Sequence, residues 1–280
     1  MTIFASTKCF SVGQYSYCIN GSSRLIGMIP DTWKKYESSS ASALQTIEIT
    51  LEEDHSIKSD RVGYDGWSVQ EKQSGPTAMY FQKGRLLFGL RFAEQNVVTV
   101  FIKKALDCYV RLGIQHALMI GLSRECVGLH GVTLLCGNEL IILSAPSGTG
   151  KTTLGKLLER YCDAIIINGD FALLTPTDDG VIFEPTPFCG SSGRCLNHRV
   201  RVNRVVFLEQ GKNNEWRKLE EREAIIRFMS NAFVPTWDGG MQQAVQENIL
   251  KCISMLKVNL FSFAPTQEAA EMFLNQLCPQ

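Results

Sequence analysis

The sequence is short of what would direct it to nucleic acid, to a membrane or to a zinc centre. Neither sign of charge is in excess, with 28 Lys and Arg against 28 Asp and Glu in 280 residues. No broad field therefore draws it to a polyanion or an acidic lipid surface, and the expectation is no nucleic acid and no membrane as partner. No apolar run approaches the roughly 20 residues that span a bilayer, and the N-terminal MTIFASTKCFSVGQ lacks the apolar core of a signal peptide. None of the ten cysteines pairs at C-x-x-C spacing, which removes the common zinc and redox motifs. The expectation is a cytoplasmic protein whose cysteines are reduced and mostly buried. Internal repeats and low-complexity tracts are missing too. The composition, 45% hydrophobic and 20% charged, is that of a chain that folds.

What is present divides into two patterns. Up to about residue 102, FSVGQYSYCI, ALQTIEITLEE, TAMYFQ, RLLFGLRF and NVVTVFI alternate as strands do, with Lys83-Gly84 as a hairpin turn. Glu53 to Pro76 shows no period and reads as a long loop. A helix fits Ala105 to Leu122, although Gly113 falls in its middle. From Gly128 onward strands alternate with helices. Two more helices are expected, over Gln242 to Leu256 and after Pro265 with Thr266 as N-cap, with VNLFSFA as a strand between them. The fold class expected is α/β. A strand-rich domain with a linking helix, 1–125, would serve recognition or partner binding, and an α/β domain with a mixed sheet, 126–280, would carry the chemistry.

The second domain opens on LHGVTLLCGNELIILSAPSGTGKTTL, Leu129 to Leu154. APSGTGKT nearly fits the phosphate-binding spacing G-x-x-x-x-G-K-[ST], with Ala145 at the first glycine. Such a loop turns consecutive backbone N–H groups inward at a helix N-terminus, where the dipole favours an anion. LIILS supplies the strand, and TTLGKLLERY supplies the helix. Ser147, Gly148, Thr149, Gly150, Lys151, Thr152 and Thr153 form the nucleotide cradle, with Lys151 on the phosphates and Thr152 on Mg²⁺. Alanine at position 145 costs roughly 1 kcal/mol if the backbone there needs a positive φ, and almost nothing otherwise. Gly137-Asn138 is a two-residue hairpin turn. If Cys136 pairs with Glu139, the register puts His130 opposite Ala145, at the mouth of the loop. A core histidine is the alternative.

AIIINGDFALL is a buried strand that ends in Asn168-Gly169-Asp170, and an acid at a strand end can hold Mg²⁺ or accept a hydroxyl proton. Asp178-Asp179, in TPTDDGV, reads as a hairpin tip. Gly190-Ser191-Ser192-Gly193 is a second glycine loop. Arg194 after it suits a clamp on a transferring phosphoryl group, while Arg201 and Arg204 read as solvent-facing strand residues.

In this order, LHG, a hairpin, APSGTGKTTL and NGD resemble the catalytic domain of HPr kinase/phosphorylase, whose fold is related to the ATP-dependent phosphoenolpyruvate carboxykinases. A broad group of bacterial HPr-kinase-like proteins, some associated with peptide modification, shows similar NGD, GSSG and FLEQ stretches. The resemblance covers roughly Gly128 to Phe207. It implies that Gly148 to Thr152 bind ATP and Mg²⁺, that His130 serves the reaction centre and that Asp170 matches one acid of an Asp-Asp pair. Gly169 stands where the other aspartate would be. The family's hexamers leave a homo-oligomer open here.

The expected function is a kinase of this type, moving the ATP γ-phosphate to a serine or threonine hydroxyl of a peptide or protein, or to a small molecule. Asp170, His130, Lys151 and Arg194 would be the catalytic set, and Thr152 and Asp170 the Mg²⁺ ligands. A nucleotide-dependent partner-binding module without turnover is the alternative that the single acid favours. A nucleoside monophosphate kinase is the third, on the strength of SAPSGTGKTT alone.

Overall fold

The computed structural model describes residues 6–38, 43–55, 66–70, 77–94, 96–190 and 193–277. Most of the stretch read as a long loop, the pair Ser191-Ser192 and Cys278 lie outside these. Among the described residues the fold is mixed α/β, with two mixed sheets, six α-helices and one 3₁₀ helix. Contacts divide the chain into two compact units. The first is Met1–Arg124 with Pro235–Gln242, a short segment from within 126–280; the second is Glu125–Val234 with Gln243–Gln280.

The first unit is built on seven strands: β1 (Ser6–Val12), β2 (Tyr15–Gly21), β3 (Gln45–Glu53), β4 (Gly66–Gln70), β5 (Thr77–Gln82), β6 (Arg85–Glu94) and β7 (Val97–Ile102). Their order is β1-β2-β3-β7-β6-β5-β4, parallel at β2–β3 and β3–β7 and antiparallel elsewhere. Helix α1 (Ser23–Ile26) and the 3₁₀ helix Asp31–Tyr36 come after β2, and α2 (Asp107–Gly121) comes after β7. Gly113 is tolerated in α2 because the helix meets the sheet there: a Cβ would lie 2.6 Å from Val100 Cγ1. Two readings need correction. FSVGQYSYCI is two strands, because Gly13 turns the chain at φ 60. The loop before Pro76 contains β4.

That hairpin also overturns the reading of every cysteine as a reduced thiol. Cys9 and Cys18 face each other in the β1–β2 register and are disulfide-bonded, as are Cys189 and Cys195. The β1–β2 hairpin brings Cys9 and Cys18 together, a pairing that spacing along the chain does not register. Cys126, Cys136, Cys162 and Cys252 are buried thiols outside any disulfide, and Cys108 is an exposed one.

The second unit holds a nine-stranded sheet of β8 (Val127–Cys136), β9 (Glu139–Ser144), β10 (Ile165–Asn168), β11 (Phe171–Thr177), β12 (Gly180–Glu184), β13 (Val200–Arg201), β14 (Arg204–Gln210), β15 (Glu215–Lys218) and β16 (Lys257–Phe263). The order is β13-β12-β11-β8-β9-β14-β16-β15, with β10 also paired to β8. Strands β9, β14 and β16 run parallel. Helices α3 (Lys151–Tyr161), α4 (Glu221–Asn231), α5 (Gly239–Met255) and α6 (Gln267–Leu277) complete the chain.

Strand alternation assigns the two faces. Leu140, Ile142, Val205 and Phe207 join one core with Phe228 of α4 and Val245, Ile249 and Cys252 of α5. Ile141, Leu143, Val206 and Leu208 join the other with Leu154 and Leu158 of α3 and Phe273 of α6. A strand buried on both sides must be apolar throughout, which is why LIILS and RVVFL read as continuous runs. Helix α4 was not foreseen; of its eleven residues only Ala224 and Phe228 are buried, so its apolar stripe is thin. Arg204, read as solvent-facing, is 6% exposed and donates to Glu139 and Asn259. Its place on the strand faces the interior. Thr266 caps α6 as expected, accepting from Ala269 N at 3.3 Å. Among the described residues no helix is long and apolar enough to cross a membrane.

Candidate functional site

The site begins with one long strand shared between two partners. The last part of β8 pairs with β9 in the register read from sequence, Cys136↔Glu139 through Gly131↔Ser144. On its other edge, β8 pairs with β10 at Thr133–Leu135 and with β11 at Val127–His130. The chain must step from one to the other, and it does so at Asn168-Gly169-Asp170. Asn168 is fully buried, and its Oδ1 accepts from both Asp170 N and Phe171 N at 3.1 Å, a local turn that an Asx side chain supplies. Gly131 N donates to Asp170 O at 2.9 Å. Asp170 is therefore fixed beside the residue after His130. The two side chains meet, with His130 Nδ1 3.6 Å from Asp170 Oδ1, and each is 41% exposed.

The glycine loop lies at the end of β9. Ala145 is buried in the core and is not among the residues with positive φ, so alanine at this position strains nothing. Positive φ falls instead on Gly148 (82) and Gly150 (107), and Gly150 is the N-cap of α3. The first amides of a helix have no intrahelical carbonyl, so those of Lys151, Thr152 and Thr153 add to the loop's donors. Lys151 folds back across the loop, and its Nζ donates to Ala145 O at 2.6 Å and Pro146 O at 3.0 Å. Thr152, Thr153, Ser147 and Gly148 are exposed, while Thr149 and Gly150 are half-buried.

Charge ties the two halves together. Burial, and then the Lys151 ammonium, lower the pKa of His130 below the usual imidazole value, against the opposing pull of Asp170. Burial likewise lowers Lys151, with Asp170 again opposing. The structure thus brings His130, Lys151 and Asp170 within reach of one another's charge. This happens near the carboxyl ends of parallel strands β9 and β14, where open α/β sheets bind ligands. An open cleft of about 550 Å³ adjoins the loop, lined by Pro146 to Thr149, by Leu208, Glu209 and Gln210 at the end of β14, and by Arg227 of α4. Gln210 Nε2 donates to Gly148 O at 3.3 Å. Arg227 donates to Glu209 at 2.5 Å and to Glu223 at 2.8 Å.

Arg194 is placed differently. Its Nη1 donates to Glu159 Oε1 on α3, and the same oxygen accepts from Ile166 N at 3.1 Å. A clamp on a transferring group would require the guanidinium to leave Glu159. Of the second glycine loop, Gly190 lies directly against the acid: a Cβ there would be 2.6 Å from Asp170 Cβ. Asp178-Asp179 is a hairpin tip, between Thr177 and Gly180 of the β11–β12 pair.

The sequence reading missed four contributors. Asn168 stands there only at the end of a buried strand, and Glu159 only within the helix TTLGKLLERY. Gln210 stands in the quoted FLEQ stretch without a role, and Arg227 belongs to the helix that was not foreseen. Only Asn168 carried a usable signal, since an Asx residue before Gly-Asp at a strand end favours such a turn.

Among the described residues no three His, Cys, Asp or Glu side chains group as a metal site. No protein-family model matches the chain, and neither does any curated protein. Among solved structures, the HPr(Ser) kinase/phosphatase from Coxiella burnetii aligns at 11% identity, covering 54% of this chain and 87% of that one, with a TM-score of 0.33. A score at that level carries no argument about fold or function.

Proposed function

We propose that the second unit is a P-loop domain of HPr-kinase type and an ATP-dependent phosphotransferase acting on a hydroxyl. One observation carries this reading. A glycine loop capping α3, with Lys151 folded across it, adjoins a histidine–carboxylate pair that shares its electrostatic field. The order of motifs noted in the sequence supports the same reading.

The loop amides from Ser147 to Thr153 hold the phosphates of ATP, and Lys151 exchanges its carbonyl partners for phosphate oxygens. The Asp170 carboxylate takes the proton of the acceptor hydroxyl. That oxygen then bonds to the γ-phosphorus as the bond to the ADP oxygen breaks, and ADP departs with both electrons of that bond. His130, neutral because its pKa is lowered, orients the carboxylate without neutralising it. Such chemistry needs mainly alignment and charge stabilisation. Mg²⁺ fits the donor set, because the Thr152 hydroxyl and Asp170 carboxylate are hard oxygen ligands of the kind that hold it together with nucleotide phosphates; when bound it would neutralise phosphate charge. A serine or threonine of a peptide or protein is the acceptor class, and the first unit is the domain that would receive it.

The test is transfer of label from [γ-³²P]ATP, with Mg²⁺, to peptides or lysate proteins. Asp170→Asn is expected to keep the affinity for ATP measured without Mg²⁺ and to lose transfer by about 10²–10⁴-fold, the usual contribution of a positioned base. A variant that transfers at the wild-type rate removes the base assignment. Binding without transfer to any acceptor favours the partner-binding module instead, a reading for which Gly169 in place of a second acid is the supporting observation.

A further inference from the structure

The mechanism leaves unused the pair Cys189 and Cys195, which lie on either side of the second glycine loop. The segment around them is fastened to the site at several points. Gly190, with φ 57, sits so close to Asp170 that a Cβ would reach 2.6 Å from Asp170 Cβ and 3.0 Å from its Cγ. Cys195 forms a strand-like bridge with Asn168, the residue whose side chain shapes the Asp170 turn. Leu196 N donates to Ile167 O at 2.8 Å. Arg194, between them, is held by Glu159 of α3. One end of the segment thus touches the acid and the other is paired to the strand that delivers it. The disulfide joins the two ends, with Cα atoms 5.5 Å apart, ordinary for such a bond.

We propose that Cys189 and Cys195 are a reversible thiol–disulfide pair whose bonded form presses Gly190 onto Asp170 and fixes the acid for phosphoryl transfer. This rests on the function proposed above only for its effect on rate. Both cysteines are half-buried, so neither is sealed in the core. Exchange is balanced: a dithiol reductant gives two electrons and two protons to the S–S bond, which becomes two thiols, and the reductant leaves as its own disulfide. The bonded form is the active one, because Gly190 lies against Asp170 while the acid's side chain stays 41% exposed. Asp170 is positioned there, not covered. The glycine loop that grips the nucleotide belongs to a different segment, so reduction changes the transfer rate and leaves nucleotide affinity alone.

The test compares the full chain with C189S/C195S and, because a second disulfide would also respond to reductant, with C9S/C18S. Non-reducing digestion and mass spectrometry of wild type should give a linked Cys189–Cys195 peptide, lost with a dithiol and restored by oxidised glutathione. Hydrogen exchange at the amides of 168–171 should rise about tenfold on reduction, the mark of a locally released segment. C189S/C195S should show the raised level throughout, and C9S/C18S should behave as wild type. The transfer rate should fall about tenfold in the same two released states, with the Kd for ATP unchanged, as a sub-ångström displacement of a catalytic group does. Complete alkylation of both cysteines after oxidation overturns the proposal, and so does exchange at 168–171 that is equal in all forms. Should exchange respond as expected while no form transfers phosphate, the disulfide assignment stands and the kinase reading falls.

Discussion

Two glycine-rich loops lie in the second unit, similar in composition and different in use. Gly148 and Gly150, both at positive φ, lead into the N-terminus of α3. At Gly190 the lack of a side chain lets the chain lie against Asp170. The cations nearby differ in the same way. Lys151 is held by two backbone carbonyls of its own loop, whereas Arg194 is held by a carboxylate on a neighbouring helix. Glycine content marks where the backbone is free to turn or to pack closely. What the loop adjoins, the start of a helix or the side chain of an acid, sets the two apart.

Between the two loops, the larger expected effect lies at Lys151. Lys151→Ala should weaken ATP binding about 100-fold, or about 2.7 kcal/mol, as loss of a charge-assisted partner of the phosphates does. Calorimetry measures it. The fold should survive, because the ammonium bonds only to Ala145 O and Pro146 O, and leaving those carbonyls unpaired costs about 1–3 kcal/mol. A cooperative thermal transition checks that. Wild-type affinity in this variant would remove the difference between the two loops.

On the second loop, Gly190→Ala should act on rate and not on affinity. The added Cβ meets the Cβ and Cγ of Asp170 and also sits at φ 57, so the turn has to move away from the acid. Transfer should fall about tenfold with the Kd for ATP unchanged, since misplacing a catalytic group costs rate before binding. Equal losses in both would mean that the two loops act as one.

These contrasts were legible in the sequence only in part. The strand, loop and helix around Lys151 could be read because they are consecutive, and His130 because a two-residue turn at Gly137-Asn138 fixes the whole register. Asp170 was visible as an acid at a strand end. That β10 and β11 share opposite halves of one edge of β8 was not, since strand order leaves no local mark on composition. The same holds for Glu159 and Arg194, 35 residues apart, and for Cys9 and Cys18, which needed FSVGQYSYCI to be split at Gly13. Arg204 misled because a polar residue in an alternating strand reads as outward, whereas Glu139 and Asn259 hold it inside.

A smaller effect separates the histidine from an ordinary one. Burial and the Lys151 charge lower its pKa, so in the folded protein the imidazole stays neutral to a pH below the usual value near 6.5. The transfer rate should therefore hold through the pH range where a solvent-exposed histidine gains its proton, and fall only at lower pH. There, protonated His130 would pair with Asp170 and weaken it as a base. In Lys151→Ala one of the lowering causes is gone, and the fall should shift to higher pH. A profile of kcat/KM against pH for the wild type, and NMR titration of His130 in both proteins, measure this. A shift in the opposite direction would separate the lysine from the histidine–acid pair.

The smallest effect is expected where the sequence suggested a large one. An arginine that stabilises a transferring phosphoryl group is worth about 10³–10⁵ in rate. Arg194 instead makes a partly exposed ion pair with Glu159, and such pairs contribute about 0–1 kcal/mol. Arg194→Gln should then change the transfer rate less than about threefold and the stability by less than about 1 kcal/mol. Urea unfolding and initial rates measured on the same preparation decide it. A loss of three decades in rate with stability unchanged would show that the guanidinium leaves Glu159 when ATP is bound, and the second loop would then be a phosphate-binding element like the first.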